Sequence, residues 1–271
     1  MKRALLLLAV LLLGVCAALV ALSATRAGLY DVARLARAVP RRTALMLARE
    51  DAAARRGRPW RMRQTWVPYD RISPLLRRAV LTAEDDAFYQ HGGLDWSELR
   101  AAARRDLEER RVVRGGSTIT QQLAKNLFLG DQRTVPRKLT EVFLALRMER
   151  TLSKRRIFEL YLNLIEWGDG VFGAEAAARH YFGVSAADLA PRQALLLAAV
   201  IINPHRYRVL DPPRRIERRV RMIASRMRRR GALDQVQYDQ ALGLAPPAPP
   251  PDSTAPPGDS LAAPVSPPAT P

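Results

Sequence analysis

The amino-acid sequence predicts a mainly α-helical protein tethered by one apolar helix, and three observations carry that reading. Residues 4–22 are nineteen consecutive uncharged positions dominated by Leu, Ala and Val. Downstream, apolar residues recur at helical spacing in segment after segment, as in Ile119, Leu123 and Leu127, or Ile216, Val220, Ile223 and Met227. Only residues 63–69, R-Q-T-W-V-P-Y, read as extended chain, ended by Pro68.

The chain has 271 residues, enough for one main core with extensions at either end. Its formal net charge of +18 admits nucleic acid, an anionic membrane surface or a phosphorylated substrate as partner, and does not choose among them. The cations are almost all arginine. Of the four lysines, Lys125, Lys138 and Lys154 fall close together, which hints that a compact ammonium is wanted there rather than a planar guanidinium. The single cysteine, Cys16, excludes an intramolecular disulfide and a Cys-based metal site. His91, His180 and His205 are too far apart in sequence to form a ligand pair of the H-E-x-x-H kind.

In chain order, residues 1–25 form a transmembrane anchor. As a helix the apolar run is about 28 Å long, sufficient to cross a hydrocarbon core, and it exceeds the usual apolar stretch of a cleaved signal peptide, the competing reading. Arg26, Arg34, Arg37, Arg41 and Arg42 follow the span and oppose the positive-inside tendency, so orientation has to come from function. Residues 26–62 are rich in Ala and Arg and read as a membrane-proximal helical segment whose arginines can meet lipid phosphates. Ser73 and Pro74 are the cap and first position of a helix that ends in Glu84-Asp85-Asp86. Taken alone this cluster reads either as a solvated acidic turn or, since a carboxylate at a helix C-terminus beside Phe88 and Tyr89 can have a raised pKa, as the site of a general base. A helix from Trp96 leads to R-G-G-S-T-I-T-Q-Q-L-A-K-N, residues 114–126, where two glycines free the backbone and Ser117 or Thr118 can cap the next helix. Such a start suits an anion or a polyhydroxylated ligand, and reads equally as an ordinary capped surface helix. Thr134 and Ser153 open further helices, residues 166–183 read as a turn and a closely packed helix, and Asn203-Pro204 stops the helix that Pro191 starts. The stripe Ile216–Val220–Ile223–Met227 carries arginines on its other face, as a solvated or lipid-facing helix would. The catalytic unit is expected over residues 63–244, and residues 245–271, eleven of them proline, form a disordered tail.

Two carboxylates, Glu84 and Glu141, flank this helix start together with Lys125, Arg133, Arg137 and Lys138. Paired carboxylates suggest glycosidic chemistry. A glycoside hydrolase has no use for four cations, whereas a sugar leaving as a pyrophosphate needs them and can dispense with the acid. The pattern therefore points to glycosyl transfer from a sugar diphosphate.

Four ordered blocks make the reading specific: E-D-D-A-F-Y-Q-H-G-G-L-D (84–95), G-G-S-T-I-T-Q-Q-L-A-K-N (115–126), R-K-L-T-E (137–141) and K-R-R-I-F-E-L-Y-L-N (154–163), with H-Y-F-G (180–183) beyond them. They resemble the signature blocks of the family 51 peptidoglycan glycosyltransferases. W-G-D-G-V-F-G-A-E-A-A-A (167–178) is similar to the monofunctional biosynthetic transglycosylases among them. No S-x-x-K and K-T-G set of a transpeptidase is present. The resemblance spans roughly residues 66–204 and implies a lysozyme-like helical lobe with a smaller membrane-proximal jaw. It implies polymerisation of lipid II, with the catalytic domain on the periplasmic side of a bacterial inner membrane. Glu84 would take the proton from the 4-hydroxyl of the acceptor GlcNAc, which attacks C1 of the donor MurNAc with inversion and expels undecaprenyl pyrophosphate. Lys125 and Arg133 would hold the pyrophosphate, and Arg137 and Lys138 would support it. Glu141 would orient these cations or a divalent metal, Mg²⁺ or Mn²⁺, no cofactor being obligatory. Ser117, Gln121, Gln122 and Asn126 would hydrogen-bond sugar or phosphate. Glu159 and Asn163 would tie the site helices together, and His91 and Asp95 would pin the first block. Phe158 replaces a frequent Leu, a change for the core to absorb. Implied partners are lipid II, the growing glycan strand, the inner membrane and cell-wall synthesis or division proteins, with nucleic acid excluded. A muramidase-like lytic enzyme and a basic membrane-tethered scaffold stand as the alternatives.

Overall fold

The computed structural model describes residues 2–109, 116–130, 132 and 134–244. Among them the architecture is mainly helical. An apolar N-terminal helix, α1 (Lys2–Gly28), carries a run of 24 residues, Leu5–Gly28, long and apolar enough to cross a membrane. It extends beyond the expected span because nothing stops it before Gly28. The tail 245–271, residues 110–115 and Arg133 lie outside the described residues.

A 3₁₀ turn (Ala33–Ala36) and α2 (Ala44–Arg55), capped by Thr43, follow α1. Val32, Leu35, Leu45 and Met46 are buried in the same core as the later helices, so the segment expected to lie near the membrane packs as part of the main body. Ser73 accepts from the Leu76 N–H and Pro74 sits in the first turn of α3 (Pro74–Glu84), as the sequence indicates. α4 (Trp96–Glu109) starts on Asp95, whose carboxylate accepts from the N–H groups of Ser97 and Glu98, each at 2.9 Å. α5 (Ile119–Ala124) has a full capping box: Thr118 accepts from the Gln121 N–H and Gln121 from the Thr118 N–H. It runs on into a π-helical turn, Lys125–Leu129, closed where the Gly130 N–H reaches the Lys125 carbonyl at 3.0 Å. α6 (Val135–Thr151) and α7 (Lys154–Leu164) begin on Thr134 and Ser153. α8 (Ala174–Phe182), α9 (Pro191–Val200), α10 (Arg214–Arg229) and α11 (Gln235–Leu242) complete the order.

α9 is the central rod, buried from Ala194 to Val200 and surrounded by α3, α10 and α11. α5 packs between α6 and α7, with Ile119 and Leu123 fully buried at about 1.5–3 kcal/mol each, while α1 lies along α6. Phe158 is absorbed into this core, its ring 5.6 Å from Phe88 and 6.4 Å from Tyr161.

One expectation fails. The segment 63–69 is not the sole extended piece: β1 (Arg63–Gln64), β2 (Glu166–Gly168) and β3 (Val171–Phe172) form a three-stranded sheet in the order β1-β3-β2, with β1 parallel and β2 antiparallel to β3. The strands are two or three residues long, β2 and β3 are buried throughout, and the register shifts between Glu166 and Gly168, so no alternation of polar and apolar residues announces them. Gly173 then turns the chain into α8 at φ +85°, where a Cβ would lie 2.7 Å from the Asn163 carbonyl oxygen.

Candidate functional site

Two cavities flank the start of α5, and Ser117 lines both. The smaller, of about 370 Å³, is bordered by Glu84, Asp85, Asp86, Asp95, Glu98 and Ser117. The larger, of about 500 Å³, is bordered by Ser117, Lys125, Asn126, Arg137, Lys138 and Glu141 among others. The helix start is therefore a wall with a carboxylate face on one side and a cationic face on the other.

Glu84 occupies the last position of α3, with its side chain 11% exposed. Arg219 on α10 donates to its Oε1 at 2.6 Å, and Gln122 on α5 donates to its Oε2 at 3.1 Å. Tyr161 in turn donates to the Gln122 side-chain oxygen at 3.0 Å. Burial pushes the Glu84 carboxyl above its ordinary pKa, Arg219 and Gln122 pull it back, and the charge of Asp85 adds a smaller upward push. Asp85 joins the end of α3 to the start of α5, accepting from the Ile119 N–H at 2.9 Å and from His91 Nε2 at 2.9 Å. His91 Nδ1 accepts from the Gly93 N–H at 3.1 Å, which leaves the proton on Nε2 for Asp85. His91 and Asp95 thus act as pins, as expected of them.

On the cationic side, the π turn starts at Lys125 and brings Lys125 and Asn126 to the cavity wall. α6 supplies Arg137 and Lys138 from its first turns, with Glu141 below them. The buried Glu141 accepts from Arg137 at 2.7 Å and from Lys138, so it pairs with both cations of its own helix. Lys138 also donates to Ser117 Oγ at 3.0 Å. Arg137 Nε is buried and has no hydrogen-bond partner among the described residues. Lys125 and Lys138 line the larger cavity together, whereas Lys154 pairs with Glu149 at 2.9 Å and lies over the Phe88 ring. Arg133, expected beside Lys125, lies outside the described residues.

Gln121 is a correction. It is buried, it is absent from both cavity walls, and its side-chain oxygen caps the Thr118 N–H at 3.0 Å; the i+3 position of a capping box claims it before any ligand can. Gln122 lines the larger cavity, yet its amide is committed to holding Tyr161 and Glu84 together. Glu159 and Asn163 tie α7 to the preceding extended segment rather than to the site helices: Glu159 accepts from the Tyr69 N–H at 2.9 Å and Asn163 from the Val67 N–H at 3.0 Å.

Sequence reasoning misses Arg219, which sits among the arginines assigned to a solvated face; nothing local distinguishes it from its neighbours. It also misses Glu166, Arg49 and His205 on the far rim of the larger cavity. Glu166 is buried and accepts from Arg49 at 3.0 Å and from His205 at 2.8 Å. Together with Asp169, Glu166 and His205 form a group whose ligand atoms lie within 4.8 Å of one another. The guanidinium of Arg49 already balances Glu166, and both Glu141 oxygens face cations, so neither carboxylate presents the open oxygen set that Mg²⁺ or Mn²⁺ prefers.

Comparison with known proteins places the site in a family. The family model described as Transglycosylase matches residues 51–228, which include every candidate side chain above except Arg49. The chain is 47% identical over 188 residues to the biosynthetic peptidoglycan transglycosylase of Nitrosomonas eutropha, covering 69% of this chain and 77% of that protein. It is 48% identical over 196 residues to the protein of that name from Alcanivorax borkumensis, covering 72% and 77% respectively. With the one from Methylobacillus flagellatus it shares 52% identity over 167 residues, 62% of this chain and 73% of that protein.

Proposed function

Because the chain belongs to the transglycosylase family and is a peptidoglycan glycosyltransferase polymerising glycan strands in cell-wall synthesis, we propose that the two cavities are the acceptor and donor halves of one lipid II polymerisation site. The observation that carries this reading is Ser117, shared by the wall of the Glu84 cavity and the wall of the Lys125–Arg137–Lys138 cavity. A sugar carbon placed at that seam has a base on one side and a charge-neutralising cradle for its leaving group on the other.

In this mechanism the acceptor GlcNAc 4-hydroxyl enters beside Glu84, which takes its proton as the oxygen attacks C1 of the donor MurNAc. Burial raises the basicity of the carboxylate, and Arg219 with Gln122 fixes its direction. Attack from the face opposite the pyrophosphate inverts C1 and gives a β-1,4 bond. The departing undecaprenyl pyrophosphate gathers charge where Lys125, Arg137 and Lys138 converge, with Arg133 as a further proposed ligand. Glu141 keeps Arg137 and Lys138 extended toward the cavity, and Ser117 and Asn126 offer hydrogen bonds to sugar or phosphate. A divalent cation, where used, would arrive on the pyrophosphate oxygens rather than in a cage of protein carboxylates. In this proposal the apolar N-terminal helix is the single-pass anchor in the bacterial inner membrane, and the catalytic domain stands in the periplasm; the length and apolar character of Leu5–Gly28 support it. Incubating the full-length protein separately with lipid II and with isolated peptidoglycan tests the assignment: elongation of the first without degradation of the second is expected, and release of muropeptides would support a lytic enzyme instead.

A further inference from the structure

The anchor helix is fastened to α6 at two levels, and the donor cradle lies between them. At the lower level Ser23, 1% exposed, donates to the Pro136 carbonyl at 3.3 Å. At the upper level Arg147 Nη1 lies 2.8 Å from the Ala27 carbonyl oxygen, 3.0 Å from that of Gly28 and 2.9 Å from that of Tyr30. The Ala27 and Gly28 carbonyls are among those that a helix leaves without partners at its C-terminus, and leaving them bare at a membrane boundary is costly, while the Tyr30 carbonyl, two residues beyond the helix, also accepts from the Val32 N–H at 3.0 Å. A guanidinium there satisfies them and meets the negative end of the helix dipole.

The two fastenings set the height of α6 against the bilayer. Pro136 immediately precedes Arg137 and Lys138, and Ser23 lies five residues before the end of the apolar run at Gly28, about 7.5 Å along the helix axis. The Ser23–Pro136 bond sets Arg137 and Lys138 beside the last turns of the apolar run, from where long cationic side chains reach toward the headgroup phosphates just beyond its end. We propose that Arg147 is a positioning residue: its clamp on the end of α1 fixes the depth at which Arg137, Lys138 and Glu141 meet a pyrophosphate carried by a membrane-embedded lipid. This inference rests on the reading of the larger cavity as the donor site. Arg147 touches neither cavity, so it acts only through the attachment of α6 to the anchor.

The test compares full-length wild type, Arg147→Ala and Arg147→Lys in liposomes with long-chain lipid II, and in solution with a short-chain, water-soluble lipid II analogue. Arg147→Ala is expected to raise KM in liposomes by about tenfold or more while changing kcat/KM on the soluble analogue by less than about twofold, with Arg147→Lys recovering part of the loss. Equal losses on both substrates, or no loss on either, would overturn the proposal. A second readout needs no turnover: a fluorophore on Val135→Cys in a Cys16→Ser background, quenched by lipids brominated at defined depths. Arg147→Ala, or Ser23→Ala should the former fail to fold, is expected to shift or broaden the depth profile, and an unchanged profile overturns the proposal. Wild type inactive on both substrates would tell against the polymerase reading, while the depth readout would still decide the clamp.

Discussion

Arg219 Nη2 meets Glu84 Oε1 at 2.6 Å across a sequence separation of 135 residues. The same nitrogen donates to the Ala83 carbonyl at 3.0 Å, so α10 grips the end of α3 through backbone and side chain together. The proposed base is thus aimed by a helix that lies outside all four signature blocks.

With Glu84 as the proposed base, its burial and that contact together are expected to set the pH dependence of the reaction. Glu84 has to be ionised to take a proton, and burial carries its pKa above the ordinary 4.5, with Arg219 opposing the rise. The acid limb of the kcat/KM profile is expected above 4.5, and Arg219→Gln is expected to move it to higher pH as well as lower kcat. An unmoved limb in the variant would show that the titrating group is elsewhere.

Stability carries the same signature with the opposite benefit. A carboxyl with a folded pKa above its unfolded one binds more protons in the folded state between the two values. Its contribution is therefore most favourable below the unfolded value and declines as pH climbs through the folded one. Glu84→Gln is expected to flatten that decline in urea-unfolding free energies measured across pH, relative to wild type.

Breaking the pin between α3 and α5 should be felt in both fold and rate. Asp85→Ala removes the acceptor of the Ile119 N–H and of His91, leaving buried donors unpaired at a cost of about 1–3 kcal/mol. Chemical denaturation reads the first effect. The second is a lower kcat, since Ser117 stands two residues before Ile119.

Glu141→Gln leaves Arg137 and Lys138 without their carboxylate. The expected outcome is a loss of about 1–3 kcal/mol, held below the value for a fully buried pair because Lys138 is 43% exposed, together with weaker substrate binding. Competition by inorganic pyrophosphate measures the binding loss directly. Where a chelator lowers activity, KM for lipid II is expected to rise more than kcat falls, as fits a cation delivered on the substrate.

Much of the architecture is written locally. Thr118, Thr134 and Ser153 accept the capping bonds that their positions before apolar stripes imply, and Pro74, Pro136 and Pro191 open their helices. The cations and carboxylates of the site are equally legible, since Lys125, Arg137, Lys138 and Glu141 have no place on an apolar stripe. What the sequence hides is set by distance. The three-stranded sheet pairs residues 63–64 with residues 171–172, too short a ladder to impose periodicity. Arg219 differs from its neighbouring arginines only in the direction its helix face takes after packing on α3. Gln121 errs the other way, because its chemistry suits a ligand and its place in the capping box forbids one.

The most direct measurement is glycan-strand formation from lipid II by Glu84→Gln beside wild type, with thermal unfolding of both to establish that the variant is folded. Glu84→Gln is expected to be folded and to lose polymerisation by about 10²-fold or more, as removal of a general base requires. A folded variant that builds strands at a rate near wild type would contradict the assignment of Glu84 as the base.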